Sequence, residues 1–367
     1  MKIQYDHQIF TQQQYGGISR YFYELIKRFD GVKNSCDVAT FFSNNAYYNQ
    51  KVDSKLKPFF PNSNSRIAGK IFRTVNQKTS SLVVKKGHFD VFHPTYYGDY
   101  FLENLKSKPF VITFYDMIHE KFSDRFSELH LDQKIYHQKK LMIEKASKII
   151  AISETTKKDI IDIFGVSGTN IDVVHLGNSL INNSIGAQKI VNEDYILFVG
   201  NRSLYKNFKY FVQSVSELLI DNKLLLVCAG GGEFTMDELT LIKGLGLEDY
   251  VVFKKIINDS VLSNLYANAL FFVFPSLYEG FGIPVLESFA CNCPALLSNG
   301  GSLIEVGGDA AEYFNPNDSN SIHTSVSNLI NNQSLRQKLK VNGTIRLNEF
   351  SWDNTFSNTL DVYKSVL

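Results

Sequence analysis

Apolar residues along this chain gather in short continuous runs, and the stretches between them carry apolar positions at helical spacing. Continuous runs of strand length mark strands buried on both faces, whereas a half-buried strand would alternate with period two. In the first half the pattern predicts a strand over residues 3–10, a loop over 11–17 and a helix over 18–29. Two further strands follow at 90–93 and 110–114, then a helix running into a strand over 141–152, a helix opened by Ser153 and Glu154, and a short strand at 171–175. In the second half, strands are predicted at 195–200, 224–229, 250–253, 269–274 and 294–298. Helices alternate with them at 236–244, 260–268 and 283–290, and two more follow at 319–331 and 334–349. Such βα alternation predicts an α/β fold with parallel, doubly wound sheets. The last stretch, 351–367, spaces Phe356, Leu360, Val362 and Tyr363 as an amphipathic helix and holds the single Trp, Trp352.

Between residues 177 and 192 the chain turns to Asn, Gly and Ser, the composition of a linker between domains. The expected partition is 1–185, 186–349 and a terminal helix at 350–367. A length of 367 residues agrees with it, since one hydrophobic core rarely grows that large.

The formal net charge of +1 argues against a nucleic-acid binder. Charge is nonetheless uneven: residues 1–180 hold 25 Lys and Arg against 18 Asp and Glu, leaving 13 against 19 of the totals of 38 and 37. The segment 62–87 carries Arg66, Lys70, Arg73, Lys78, Lys85 and Lys86 and no acid. It reads equally as a helix offering cations to an anionic membrane or a diphosphate lipid, and as a solvated insertion. Four scattered cysteines, Cys36, Cys228, Cys291 and Cys293, suggest reduced thiols in a cytoplasmic protein. The polar start of the chain lacks the apolar core of a signal peptide, and no run reaches the roughly 20 apolar residues of a membrane span. Contact with a membrane would then be peripheral, at its inner face.

The densest candidate chemistry lies in 274–287, F-P-S-L-Y-E-G-F-G-I-P-V-L-E, after the apolar run 269–274. Pro275, Gly280 and Gly282 place a turn between strand and helix, and backbone N–H groups at such a helix start attract anions. Glu279 and Glu287 lie eight residues apart, on one side of the element. With G-F-G-I-P between them and F-P-S-x-Y before, this stretch resembles the retaining glycosyltransferases of glycosyltransferase family 4. The resemblance covers nearly the whole chain and is strongest over 195–315. It implies the GT-B fold, two Rossmann-like domains facing each other across a cleft. It further implies that Glu279 contacts the transferred sugar, that Gly280, Phe281, Gly282 and Ile283 offer backbone donors, and that Glu287 holds a ribose.

A second motif, N-R-S-L-Y-K-N-F, follows the strand at 195–200 and places Arg202 and Lys206 at a strand end. A planar fork and a compact charge together suit a diphosphate, which is how the resembling family uses an Arg and a Lys of this loop. Gly16-Gly17 opens a helix after the first strand, and the resemblance puts Gly17 beside the donor diphosphate and the acceptor. After the strand at 110–114 comes Y-D-M-I-H-E, with Tyr115 where the family often has a His. Asp116 and His119 are the candidates on the acceptor side, His119 reading equally as a satisfied structural histidine. No D-x-D motif stands at a strand end, which fits chemistry without a metal or other cofactor.

The expected activity is retaining transfer of a sugar from a GDP- or UDP-linked donor to an acceptor hydroxyl. The expected acceptor is a glycan on a polyprenyl diphosphate lipid, in bacterial O-antigen or capsule synthesis. A sugar-nucleotide epimerase of the same fold would act on the donor with no acceptor present. A non-catalytic sugar-binding protein would keep the fold without turnover. The triple glycine at 230–232 matches a dinucleotide G-x-G-x-x-G fingerprint too loosely for a dehydrogenase.

Overall fold

The computed structural model describes residues 1–30, 32–51, 66–126, 129, 131–182 and 188–367. The chain divides into two compact units. Met1–Glu120, Leu129–Leu176 and Trp352–Leu367 form the first, and Lys121–Glu128 and Gly177–Ser351 the second. The boundary thus falls at 176/177 rather than 185, and a short piece after residue 120 joins the second unit.

The first unit runs β1 (Lys2–Asp6), α1 (Gln8–Gln12), α2 (Gly17–Lys27), β2 (Ser35–Ala39), α3 (Ala46–Lys51), α4 (Arg66–Lys86) and β3 (Val91–His93). It continues with α5 (Leu102–Leu105), β4 (Val111–Phe114), α6 (Ile118–Phe122), α7 (Gln133–Lys145), β5 (Lys148–Ala151), α8 (Glu154–Phe164) and β6 (Ile171–Val173). Its strands are parallel and lie in the order β2-β1-β3 and β4-β5-β6. A bridge between Phe92 and Phe110 joins the two sets.

The run predicted as one strand over 3–10 stops at Asp6, and the physical reason is a buried carboxylate. Asp6 accepts hydrogen bonds from the Thr95 amide (2.9 Å) and hydroxyl (2.6 Å), the Gln8 amide (3.2 Å) and side chain (2.7 Å), and the Tyr100 hydroxyl (2.9 Å). Five donors hold a charge away from water and bend the chain into α1. The edge strand β2 was not predicted, because Ser35–Ala39 offers its sheet no apolar run.

Segment 62–87 resolves toward a helix: α4 occupies Arg66–Lys86, residues 62–65 lying outside the described ones. It turns Asn76, Ser80 and Val84 inward and leaves Lys70, Arg73, Lys78, Lys85 and Lys86 exposed. Among the described residues, no helix is long and apolar enough to cross a membrane.

The second unit runs β7 (Tyr195–Val199), α9 (Phe208–Asp221), β8 (Leu225–Ala229), α10 (Met236–Gly244), β9 (Val251–Lys254), α11 (Asp259–Asn268) and β10 (Phe271–Phe274). It ends with α12 (Ile283–Ala290), β11 (Ala295–Ser298), α13 (Leu303–Gly307), β12 (Ala311–Phe314), α14 (Ser319–Asn331) and α15 (Gln333–Leu347). Six parallel strands lie in the order β12-β11-β10-β7-β8-β9. Read from β9, the order within the unit is 3-2-1-4-5-6, the doubly wound dinucleotide-binding topology, whose switch point lies between β7 and β10. β7 and β10 are buried along their whole length, which is why their sequences are unbroken apolar runs.

The terminal helix, α16 (Trp352–Lys364), belongs to the first unit. The Tyr363 hydroxyl lies 3.0 Å from that of Tyr5 and 2.6 Å from His93 Nδ1, while His93 Nε2 lies 3.0 Å from the Thr113 hydroxyl. Burial pushes the His93 imidazole down to about 3, so it serves as a neutral crosslink between the sheet and α16.

Candidate functional site

In open parallel sheets ligands collect outside the carboxyl ends of strands, at the point where the order reverses. In the second unit that point is framed by the loops leaving β7 and β10. A backbone bond joins them, Leu277 N–H donating to Tyr205 O at 2.7 Å. The β7 loop ends in a short 3-10 turn over Leu204–Lys206. Leu204 takes φ 48° within it, a conformation costly for a branched residue and characteristic of functional loops.

That turn brings Lys206 to Glu279, Nζ to Oε1 at 2.6 Å. The ammonium also lies 5.1 Å from the ring centres of Tyr205 and Phe274. Glu279 is 8% exposed, and its backbone is held by the loop after β11. Ser302 donates to Glu279 O from its amide (3.2 Å) and from its hydroxyl (3.0 Å), and the same hydroxyl lies 2.9 Å from Phe281 O. Gly282 caps α12, with Ile283 and Pro284 in its first turn. Two turns from Glu279, Glu287 is half-buried, its Oε2 3.3 Å from the Tyr266 hydroxyl. Burial first, then the Glu287 charge, push the Tyr266 phenol well above its usual range, so it stays protonated as a donor.

Arg202 does not join this group, and the expectation that it offers a free fork to a diphosphate is corrected by its surroundings. The residue is 5% exposed. Its Nε donates to Glu238 Oε1 (3.0 Å), NH1 to Gly230 O (3.0 Å), and NH2 to Gly232 O and Glu233 O (both 2.9 Å). The guanidinium centre lies 4.7 Å from the Phe234 ring centre and 5.9 Å from those of Phe208 and Phe253. A cation so enclosed has no face left for a ligand.

In the first unit, Gly17 begins α2 and is exposed, with open space where a side chain would stand. The Asp116 carboxylate accepts from the Ile118 amide at 3.1 Å, an Asx turn that starts α6. Lys139 donates to Asp116 O at 3.3 Å and pairs with Glu120 at 2.8 Å. His119 stands exposed on α6. Tyr115 points inward, against the rings of Tyr21 and Tyr97.

Three buried side-chain atoms have no hydrogen-bond partner among the described residues: His7 Nε2, Tyr115 Oη and Ser276 Oγ. Each belongs to a residue just past the carboxyl end of a strand, β1, β4 and β10 respectively. Buried polar groups are rarely left unpaired, and here all three lie on the edge where a parallel sheet meets its ligands. Sequence reasoning missed the supports of the site, Glu238, Tyr266 and the role of the N-G-G-S loop at 299–302, which reads from sequence only as a turn after the strand at 294–298. The last left a signal, two glycines directly after a buried strand, which mark a close backbone approach.

Residues 182–346 match the family described as glycosyl transferases group 1, and residues 15–179 match glycosyltransferase family 4. O-antigen chain mannosyltransferase B of Escherichia coli is 26% identical over 95% of this chain and 96% of its own length. O-antigen chain mannosyltransferase RfbU of Salmonella typhimurium is 31% identical over 54% of this chain and 55% of its own. Among solved structures, sucrose-phosphate synthase from Thermosynechococcus elongatus aligns over 100% of this chain and 98% of its own, with TM-score 0.79 and 16% identity. Anabaena HepE, solved with UDP and glucose, aligns over 99% of both chains with TM-score 0.73 and 16% identity. Both share the fold, two Rossmann-like domains of the GT-B class, and the chain is a glycosyltransferase that carries a family 4 domain followed by a group 1 domain.

Proposed function

We propose that this enzyme is a retaining mannosyltransferase of bacterial O-antigen or capsule assembly, using a GDP- or UDP-linked donor and a lipid-linked glycan as acceptor. The observation that carries the reading is the Lys206–Glu279 pair at the switch point of the second unit. A cation and a carboxylate in contact match the two halves of a sugar diphosphate, the phosphate taking the ammonium and the sugar hydroxyls donating to the carboxylate. Glu287 would hold the ribose hydroxyls, and backbone N–H groups at the start of α12 would meet the phosphates. The relatives named as O-antigen mannosyltransferases support the sugar and the pathway, a capsular polysaccharide glycosyltransferase of Staphylococcus aureus supports the capsule alternative, and HepE supports a nucleoside diphosphate.

In this mechanism the acceptor oxygen attacks the anomeric carbon on the face the diphosphate leaves. The C–O bond to the phosphate breaks with its electron pair, and a leaving phosphate oxygen accepts the acceptor's proton. Lys206 stabilises the charge that grows on that phosphate, so the step runs without a metal. The first unit takes the acceptor, with Gly17, Asp116 and His119 as its candidate contacts.

Calorimetric titration with GDP, UDP, ADP, CMP and dTDP in the presence of a chelator tests the donor site. Micromolar binding of one diphosphate is expected; no binding of any would remove the transferase reading. With the donor alone, the sugar should come through unepimerised.

Contact with an anionic membrane is part of the proposal and rests on α4. Ile71 and Leu82 are 55% and 61% exposed, and with Lys78 and Lys85 they share one helical stripe. Apolar anchors among cations suit a headgroup layer, where each cation contributes about 1 kcal/mol. The protein should sediment with vesicles containing anionic lipid, and Lys70→Glu combined with Lys78→Glu and Lys85→Glu should weaken that at least tenfold. Equal sedimentation with neutral vesicles would count against the electrostatic part.

A further inference from the structure

We propose that Arg202 is a positioning residue for the nucleotide donor, acting through the loop that follows β8. The inference rests on the donor-site reading above and changes what this arginine does within it. Gly230, Gly231 and Gly232 all have positive φ, 82°, 71° and 82°, so the loop has little local preference of its own and its shape must be imposed. Arg202 imposes it. Its guanidinium donates to the carbonyls of Gly230, Gly232 and Glu233, three peptide oxygens from a four-residue stretch.

Among the described residues no peptide bond is cis. In a trans peptide the N–H points opposite to the C=O. Drawing those three carbonyls inward therefore turns the N–H groups of Gly231, Glu233 and Phe234 away from Arg202. Gly231, Gly232 and Glu233 are exposed, so this face of the loop is open. The Glu233 and Phe234 N–H groups are consecutive, and consecutive outward N–H groups form a concavity suited to an anion. The loop leaves β8, next to β7, on the ligand-binding edge of the sheet.

The clamp is itself clamped. Glu238 meets Arg202 with both oxygens, at 3.0 Å and 3.4 Å, and its Oε2 also accepts the Thr235 amide at 2.7 Å, closing a capping box at the start of α10. Gly231 completes the fit, since a Cβ there would stand 2.6 Å from Gly200 O. Arg202, Glu238 and the loop thus form one unit that ties the β7 loop to the β8 loop.

Arg202→Lys keeps the charge but cannot reach three carbonyls and a carboxylate at once, and Glu238→Gln keeps the shape while releasing the ion pair. Each should raise donor KM and the Kd of the nucleoside diphosphate that binds the wild type at least tenfold, with kcat at saturating donor within threefold. Arg202→Lys with Glu238→Gln should be no worse than the poorer single variant, because the two act as one unit. In the wild type, hydrogen exchange over residues 231–234 should slow when that diphosphate is added.

A fall in kcat in Arg202→Lys that Glu238→Gln does not share would restore direct contact with the reacting phosphate and overturn the inference. So would loss of thermal stability with unchanged KM and Kd, or unchanged exchange on nucleotide binding. The exchange measurement needs no variant and stands even if both substitutions fold poorly. Failure of the wild type to bind any nucleotide would instead strike the donor-site reading.

Discussion

Lys206→Ala should lower turnover at saturating donor at least a hundredfold, the largest effect expected of any single side chain here. At the switch point Lys206 directs its charge at the Glu279 carboxylate, whereas Arg202 directs its own into a cage of carbonyls. A charge-assisted hydrogen bond contributes about 1.5–3 kcal/mol, and removing one donor from a site where charge grows in the transition state costs roughly 10²–10³ in rate. The substitution also leaves Glu279 without its cation while it remains 8% exposed, which should cost stability on the order of 1–3 kcal/mol. Adding Glu279→Gln should therefore recover thermal stability without recovering turnover, separating the structural part of the effect from the chemical one. Glu287→Ala gives the contrast: donor KM about tenfold higher and kcat little changed, because ribose contacts are alike in ground and transition states. Near-normal turnover of Lys206→Ala at saturating donor would sink the role.

The sequence made the parts of the site legible wherever burial wrote a strong pattern. β7 and β10 are covered on both faces, so their unbroken apolar runs announced two parallel strands and put Lys206 and Glu279 at strand ends. The edge strands β2 and β12 hid, since Ser35–Ala39 and Ala311–Phe314 are only partly buried and mix polar with apolar residues. Which of two nearby cations is enclosed by carbonyls and which pairs with Glu279 was not legible at all. Arg202 and Lys206 differ in role because residues 28 to 36 positions further on surround the first and a residue 73 positions on pairs with the second. His119 follows the same logic: the Y-D-M-I-H-E spacing placed it near a strand end, while the geometry of a five-residue helix decided that it is exposed. The N-G-G-S loop was visible as a turn, but its purpose lies in what it touches.

That purpose gives the second large expectation: Gly301→Ala should lower turnover at least tenfold although residue 301 carries no side chain to lose. Gly301 sits at φ 61°, where an L-residue costs about 1–2 kcal/mol. A Cβ there would stand 2.6 Å from both the amide nitrogen and the carbonyl oxygen of Glu279, and 3.3 Å from the Tyr278 ring. Backbone atoms cannot swing aside as a side-chain tip can, so the Glu279 loop must shift by roughly half an ångström or more to reach ordinary contact. A reactive constellation displaced by about 1 Å can lose on the order of 10²-fold in rate. Gly246→Ala supplies the control for strain alone, since Gly246 has φ 68° and open space around its missing Cβ. Gly246→Ala should lose a few degrees in Tm from strain alone and Gly301→Ala more, by the cost of the overlap, and only Gly301→Ala should lose turnover out of proportion to stability. Equal activity in the two would mean that the Glu279 loop keeps its geometry without help from the β11 loop, and that the glycine pair serves the turn alone.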